Sequence, residues 1–404
     1  MSTLCRVALA ALMTALPLAS VQAQAVKETI AGHPTWVYTP SNTLPGGKRG
    51  LLVALHGCDQ TNDQLWKWGN LQAAADANGL VVAVPGVGTS GWGPGCWNYS
   101  TTSPHVGELT TLTRSLVARP GLDIDPRQVY VAGLSSGAAM SLLLGCAAPD
   151  LYAGVGAIAG PSVGSSQMMA TMGPMPGNVA NATATCRQLA GDKATFFASQ
   201  VVNVAYGDMD KGGANARYTY SFGDTAHAGQ YAVVPVQWTL DNEQSERTIL
   251  GASGLGPASP LPGGQGTEWN AQVDNAVRLT KLEIANVGHA WPAGTGQPNS
   301  AAKGGVWVAQ SGLDYPAYIA GWFLKNNARA SAPIPKPETV SDGGWQCVNY
   351  QDSNIAHVLA GRAYDYWGVA YAKGSNQMMG LDNMLLVTNV AETPKGFFTL
   401  GHCK

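Results

Sequence analysis

The clearest shortage in this 404-residue chain is charge. Charged residues make up 12% of the sequence, 23 basic against 25 acidic, and the net charge at pH 7 is −2. This share is about half of the usual one. No basic stripe is present, so the composition excludes a nucleic-acid-binding protein. A surface with so little charge suits a partner that is itself uncharged and partly apolar.

Two further absences narrow the class of protein. No apolar run reaches the ~18 consecutive residues that a membrane-spanning helix needs, so we expect no membrane anchor. The sequence also contains no C-x-x-C or H-E-x-x-H spacing, which are the common signatures of bound zinc. We therefore expect no metal site, and nothing in the sequence calls for an organic cofactor.

The first 23 residues have the features of a secretory signal peptide. Arg6 precedes an apolar run over residues 7–18, and a small-residue cleavage pattern ends at Ala23. We expect cleavage after Ala23 and export of the remainder.

The cysteine count agrees with an exported protein. Of seven cysteines, Cys5 lies in the signal peptide, and the six that remain predict three disulfides. Their order along the chain favours local pairing: Cys58 with Cys96, Cys146 with Cys186, and Cys347 with Cys403.

A proline-rich stretch divides the exported part. Pro333, Pro335 and Pro337 occupy alternate positions and predict a stiff, extended linker over residues 328–342. We expect a large domain over residues 24–327 and a small module over residues 343–404. So small a unit needs a covalent staple, which the last two cysteines can provide.

The large domain alternates short apolar runs with helical patterns. The apolar runs, bounded by turn residues, predict buried strands at 51–55, 80–84, 129–132, 155–159, 201–205 and 279–285. The other patterns predict helices at 63–77, 106–118, 136–146, 234–246 and 311–326. This alternation predicts an α/β fold built on a doubly wound, mostly parallel sheet.

One pentapeptide indicates a candidate catalytic nucleophile. Gly133-Leu134-Ser135-Ser136-Gly137 follows the apolar run at 129–132 and opens a helical pattern. A G-x-S-x-G sequence between a strand and a helix holds its serine on a strained turn with the hydroxyl exposed. A Cβ at either glycine would collide with the crossing elements. Ser135 is therefore the candidate nucleophile.

A serine nucleophile needs a base and an acid that orients the base. His289 directly follows the last predicted strand, where such a sheet places its chemistry, whereas His227 lies in a stretch with no strand before it. The acid follows the strand at 201–205. We prefer Asp210, because the Gly-x-x-Asp spacing gives the chain room to turn, and Asp208 stays an open alternative.

Two backbone N–H groups are candidates to bind the oxyanion. One belongs to Ser136, which follows the nucleophile, and the other to Cys58, in the loop after the strand at 51–55. A Cys58–Cys96 disulfide would hold that loop in place. Trp97, Trp291 and Trp307 are candidates to line the substrate groove, and packing in the core is an equally open reading for each of them.

Together these stretches resemble the extracellular short-chain-length polyhydroxyalkanoate depolymerases, in the esterase/PHB-depolymerase branch of the α/β-hydrolases. The matching segments are Leu55-His56-Gly57-Cys58-Asp59-Gln60, Cys96-Trp97-Asn98, residues 133–140 and Gly288-His289-Ala290-Trp291-Pro292. One departure is Tyr206, where the family often has histidine before its Gly-x-x-Asp. The tail resembles the polymer-binding module of these enzymes, and its Tyr364, Tyr366, Trp367 and Tyr371 could contact a polyester or pack inside the module.

The resemblance implies a secreted monomeric esterase that hydrolyses insoluble poly(3-hydroxybutyrate) through an acyl-enzyme, without nucleic-acid or membrane partners. Two alternatives stay open. One is an esterase for feruloyl or acetyl groups of plant cell walls, which would use the same residues. The other is a secreted polymer-binding protein whose hydrolase domain is inactive.

Overall fold

The computed structural model describes residues 23–88, 91, 95–165, 178–210, 235–294, 307–310, 312–330, 347–366, 368–373, 375, 377–392 and 396–403. The described residues leave out most of the expected signal peptide, residues 331–346 of the expected linker and module, His227 and Trp367.

A ten-stranded sheet forms the centre of the large domain. Its strands are β1 (Gln24–Ile30), β2 (His33–Thr39), β3 (Arg49–Leu55), β4 (Leu80–Pro85), β5 (Ile124–Leu134), β6 (Gly154–Ile158), β7 (Val201–Gly207), β8 (Ser259–Pro260), β9 (Gly266–Val273) and β10 (Ala276–Ile284). The order across the sheet is β1-β2-β4-β3-β5-β6-β7-β10-β9-β8. The six strands from β4 to β10 run parallel, and antiparallel strands flank them at both edges.

Helices cover both faces of this sheet. They are α1 (Asn62–Trp68), α2 (Leu71–Asn78), α3 (Pro104–Val117), α4 (Ser136–Ala147), α5 (Val179–Ala190), α6 (Val236–Leu250) and α7 (Tyr315–Asn326). Side chains alternate between the two cores along β3: Leu51, Val53 and Leu55 pack with α3 and α4, whereas Leu52 and Ala54 pack with α2 and α7. The predicted doubly wound α/β fold is confirmed.

The structure differs from the local predictions in several places. The helix expected over 63–77 is two helices, because α1 ends at Gly69 and Asn70 takes a left-handed conformation with φ of 56°. The β1–β2 hairpin, helix α5 and the edge strands β8 and β9 were not predicted. Strand β1 is mostly exposed, so it lacks the continuous apolar run that marks the central strands.

The tail is a small unit with two three-stranded sheets. Its elements are β13 (Val348–Ser353), α8 (Asn354–Leu359), β14 (Ala363–Tyr366), β15 (Val369–Ala372), β16 (Met378–Leu381), β17 (Val387–Glu392) and β18 (Phe398–Leu400). Strands β11 (Trp291–Pro292) and β12 (Val308–Ala309) form a short separate pair in the large domain. Among the described helices, none is long and apolar enough to cross a membrane.

All three predicted disulfides are present. Cys58 is bonded to Cys96, Cys146 to Cys186, and Cys347 to Cys403. The third closes the ends of the tail, whose buried core is small: Ala363, Ala370, Ala372, Met379, Val390 and Phe398. A core of this size is what makes a covalent staple necessary.

Candidate active site

Ser135 occupies a strained turn between β5 and α4. Its φ and ψ are 57° and −117°, a conformation that a non-glycine residue rarely adopts. The two glycines make the turn possible. A Cβ on Gly133 would lie 2.3 Å from the carbonyl oxygen of Gly137, and one on Gly137 would lie 2.4 Å from that of Leu55. Ser135 is partly exposed at the carboxyl end of the parallel strands.

His289 and Asp210 meet at the same edge of the sheet. His289 Nδ1 lies 2.8 Å from Asp210 Oδ2, and the two residues are 3% and 1% exposed. Each follows a parallel strand, Asp210 after β7 and His289 after β10. With Nδ1 held by the carboxylate, the imidazole keeps Nε2 for exchange of a proton with a hydroxyl.

Asp208 serves a different contact. Its Oδ1 accepts the backbone N–H of Val287 at 3.2 Å, while its own N–H donates to Ile284. The carboxylate therefore fastens the loop that carries His289 and does not touch the imidazole. The turn that directs Asp210 toward His289 is closed by the Asp210 N–H, which donates to the Gly207 carbonyl at 2.9 Å.

The loop after β3 carries the second candidate oxyanion donor. The Gly57 N–H donates to Gln60 Oε1 at 3.0 Å, which leaves Cys58 as the next backbone donor in the loop. The disulfide to Cys96 anchors Cys58. Ser136 is the first residue of α4, where a backbone N–H has no partner within the helix. Both candidate donors thus come from rigid segments.

Gln60 is a functional candidate that reasoning from sequence did not single out. It is 2% exposed, and besides accepting from Gly57 its Nε2 donates to the Trp307 carbonyl at 3.4 Å. It therefore connects the loop after β3 to the segment that packs against His289. The available signal was its place at the end of the matching stretch from Leu55 to Gln60.

The three candidate groove tryptophans have different surroundings. Trp97 and Trp291 are both 0% exposed, and Trp291 Nε1 donates to the Gly69 carbonyl within the core. These two side chains offer no surface to a substrate. Trp307 is 5% exposed, and its ring makes an edge contact with His289 at 5.8 Å between centroids.

His56, in the loop after β3, is a buried histidine whose protonation state is fixed by its surroundings. It is 1% exposed, its Nδ1 lies 2.8 Å from the Gly57 carbonyl oxygen, and its Nε2 accepts from Val87. Burial lowers the pKa of His56 to about 4. The imidazole is therefore neutral at ordinary pH, with one nitrogen donating and the other accepting.

One cluster in the described residues has the spacing of metal ligands, namely Cys146, Cys186 and Glu246. The two sulfurs are joined in a disulfide. They therefore offer no thiolate to a metal ion.

Comparison with known proteins gives a consistent picture. The family described as Esterase PHB depolymerase matches residues 37–217. The chain is 29% identical to a poly(3-hydroxybutyrate) depolymerase of Ralstonia pickettii, over 91% of this chain and 89% of that protein. An acetylxylan esterase of Coprinopsis cinerea is 33% identical over 32% of this chain and 35% of its own length. Among solved structures, an acetyl xylan esterase from Aspergillus awamori aligns at a TM-score of 0.49 with 17% identity, over 66% of this chain and 94% of that one.

The family match covers β2 to β7 and includes the Ser135 turn, and the Ralstonia relative extends over nearly the whole chain. The parallel sheet with helices on both faces is the fold expected for such enzymes. Over these residues the chain is similar to the esterase/PHB-depolymerase family, and it is a carboxylic ester hydrolase.

Proposed function

We propose that this protein is a secreted, monomeric serine esterase that hydrolyses poly(3-hydroxybutyrate) and related short-chain polyhydroxyalkanoates. The observation that carries the proposal is the buried Asp210–His289 contact at the sheet edge that also bears the Ser135 turn. A carboxylate, an imidazole and a serine on a strained strand-to-helix turn are the parts that ester hydrolysis by an acyl-enzyme requires.

In the proposed mechanism Ser135 Oγ attacks the ester carbonyl while His289 Nε2 takes its proton. Asp210 holds the imidazole in the tautomer with Nδ1 protonated and stabilises the charge that develops on the ring. The N–H groups of Cys58 and Ser136 bind the oxyanion. His289 returns its proton to the departing alcohol end, and a water molecule activated in the same way then releases the acyl chain.

The extent of similarity favours a polyester over a cell-wall ester. The match to the Ralstonia enzyme covers 91% of this chain, which is more than residues 24–327 alone and so reaches into the tail. The acetylxylan esterase similarity covers only 32%. A tail module is useful when the substrate is an insoluble polymer, because a second attachment site raises the effective concentration of the enzyme at the surface.

We further propose that the tail contacts the polymer through its apolar loop, residues 381–387. In this loop Leu381, Met384, Leu385 and Val387 are 58%, 76%, 89% and 60% exposed. So many neighbouring exposed aliphatic side chains mark an interaction surface. A polyester offers methyl and ester groups without charge, and a surface of this kind complements them.

Hydrogen bonds to the side chains of Asn354 and Asn383 hold the apolar loop in place. Asn354, which is 0% exposed, donates to the carbonyls of Met379 and Leu381, and the Asn383 side chain accepts the N–H groups of Leu385 and Leu386. A loop that is already ordered loses little conformational entropy on adsorption.

The tail aromatics support this role less directly. Tyr364 and Tyr371 stack on each other at 5.6 Å and are both partly buried. The side chain of Tyr366, like Trp367, lies outside the described residues. The aliphatic loop is therefore the stronger candidate for polymer contact.

A substrate panel tests the proposed specificity. The purified enzyme should clear a turbid suspension of poly(3-hydroxybutyrate) and release far less acetate or ferulate from cell-wall esters. Faster release of acetate from acetylated xylan than of hydroxybutyrate from the polymer would identify a cell-wall esterase instead. Hydrolysis of none of these substrates would favour the inactive binding protein.

Export has its own test. The six cysteines outside the signal segment are all paired, which suits an oxidising compartment. We expect the protein in the culture medium of its producing cells to begin at Gln24. An intact Met1 terminus on the active extracellular protein would contradict cleavage after Ala23.

A further inference from the structure

Trp97 is a fully buried residue that contacts both segments assigned to oxyanion binding. Its indole Nε1 donates to the His56 carbonyl at 3.0 Å, and its backbone N–H donates to Ser136 Oγ at 3.4 Å. The residue before it, Cys96, is bonded to Cys58. One short segment of chain therefore joins the loop after β3 to the start of α4.

Three buried histidines surround the indole and form a histidine cage: His33, His56 and His105. Their ring centroids lie 5.6, 5.3 and 5.2 Å from that of Trp97. The three are 1%, 1% and 0% exposed. Contacts on several sides fix the plane of the indole and thus the direction of its N–H.

Hydrogen bonds hold the histidines of the cage to neighbouring segments of the large domain. His105 Nδ1, on α3, accepts from the Asn98 N–H at 3.1 Å, and His33 Nδ1 lies 2.9 Å from the Gly86 carbonyl oxygen. His33 Nε2 lies 3.2 Å from Glu108 Oε2, which connects the cage to a second position on α3. The cage therefore fixes the position of Trp97 relative to β2, α3 and the end of β4.

We infer that Trp97, held by the histidine cage, is a positioning residue that sets the spacing between the Cys58 and Ser136 backbone donors. The inference rests on the proposed serine mechanism and adds a residue that does not touch the substrate. The Trp97 indole N–H bonds the segment that carries Cys58, and the Trp97 backbone N–H bonds Ser136, so one residue contacts both sides of the oxyanion hole.

The spacing matters because the two donors must fit the tetrahedral oxyanion rather than the planar ester. Loss of one complete oxyanion donor costs ~10²–10³ in kcat, and a displacement of ~1 Å can cost ~10²-fold. A loosened hole binds the planar ester nearly as well, so the loss should appear in kcat and not in KM.

The test replaces the indole N–H and keeps an aromatic ring. Trp97→Phe should lower kcat for a soluble p-nitrophenyl butyrate by about ten- to a hundred-fold with KM within about twofold. Inhibition by an alkylboronic acid, whose serine adduct mimics the tetrahedral intermediate, should weaken by a similar factor. The concentration of active enzyme is measured by titrating the reactive serine with an organophosphate, so that unfolded protein does not lower the apparent kcat.

Trp322→Phe is the matched control. Trp322 lies on α7 and is also buried. Its Nε1 donates to Oγ1 of Thr280, on β10, at 3.0 Å, and this hydrogen bond lies outside the segments that carry Cys58 and Ser136. This variant should lose stability but keep kcat and boronate inhibition within about twofold. Equal losses in both variants would show a general packing effect and overturn the inference.

Ser136→Ala provides a second route if Trp97→Phe does not fold. It removes the hydroxyl that accepts the Trp97 N–H and leaves the Ser136 backbone donor in place. A fall in kcat with unchanged KM supports the inference, and wild-type kcat and boronate inhibition refute it. The proposed serine mechanism fails separately, since then Ser135→Ala would retain activity.

Discussion

Asp210 and Asp208 are separated by one residue, yet they contact different parts of the histidine loop. Asp210 bonds the His289 imidazole, whereas Asp208 accepts from the backbone at Val287. A carboxylate on the imidazole fixes its tautomer and stabilises its positive form, and a carboxylate on a backbone N–H only fastens the loop. The two residues are therefore a natural matched pair.

Asp210→Asn should lower kcat on a soluble butyrate ester by about 10³–10⁴-fold, because the amide favours the wrong tautomer. Asp208→Asn keeps an oxygen that can accept from Val287, so its kcat should stay within about tenfold of wild type. Steady-state kinetics on both variants checks this. The opposite ranking would transfer the acid role to Asp208.

The histidine cage makes stability depend on pH. Burial, followed by the charge of His33, lowers the pKa of His105 to about 4, and burial lowers the pKa of His56 to about 4. In the unfolded chain both titrate near ~6.5. Between these values the unfolded chain binds more protons, so stability falls as pH drops from about 6.5 to about 4 and is unaffected by these two groups above that window.

His105→Gln should flatten this acid loss, because one of the two groups no longer titrates. Thermal unfolding at several pH values between 4 and 7 measures the slope. His402→Gln removes an exposed histidine and serves as the control, with an unchanged slope expected. An equally steep slope in the His105 variant would mean that other groups cause the loss.

At the scale of elements, two disulfides in the large domain close loops of nearly equal length. Cys58–Cys96 spans 38 residues and Cys146–Cys186 spans 40. In the chain-entropy model each contributes about 4 kcal/mol to stability. Their surroundings differ, because the first anchors the loop after β3, in which we propose an oxyanion donor, and the second does not.

Paired alanine substitutions separate stability from catalysis. Removing either disulfide should lower the free energy of unfolding by a similar amount, about 4 kcal/mol at most. Only Cys58→Ala with Cys96→Ala should also lower kcat per folded enzyme, by about tenfold or more, because a preorganised donor becomes mobile. Denaturant titration and active-site-titrated kinetics measure the two effects. A similar kcat in both variants would remove the proposed link between the disulfide and the oxyanion hole.

Sequence reasoning succeeded where a local pattern has one physical cause. The apolar runs of β3 to β7 mark strands that are buried on both faces, and the turn at Ser135 follows from two glycines. It missed the β1–β2 hairpin and the helix break at Asn70, which depend on tertiary contacts. The sequence could not decide whether Trp97 and Trp291 are buried or line a groove, because a large ring packs equally well in a core and in a cleft.

At the scale of the molecule, one residue of the expected linker, Arg329, contacts the large domain. Arg329 is 8% exposed, and its guanidinium donates to the carbonyls of Pro149, Asp150 and Phe196. Burial lowers the pKa of Arg329 to about 10. Arg329 therefore packs with the large domain, and we propose that the linker begins after Ala330.

Adsorption and chemistry should separate along this boundary. Met384→Ser with Leu385→Ser, on the apolar loop, should reduce binding to polymer granules several-fold while kcat on the soluble ester stays unchanged. Leu359→Ser changes an equally exposed residue of the tail outside the loop and should leave adsorption intact. A granule pull-down with wild-type binding by the double variant would exclude the loop as the contact surface.

Attack by Ser135 on a polyester bond is the central claim, and one measurement addresses it most directly. The wild-type enzyme and Ser135→Ala are incubated with suspended poly(3-hydroxybutyrate), while turbidity and released hydroxybutyrate are followed. We predict clearing by the wild type and none by the variant, although the variant still adsorbs to the granules. Clearing at the wild-type rate by Ser135→Ala would contradict the claim.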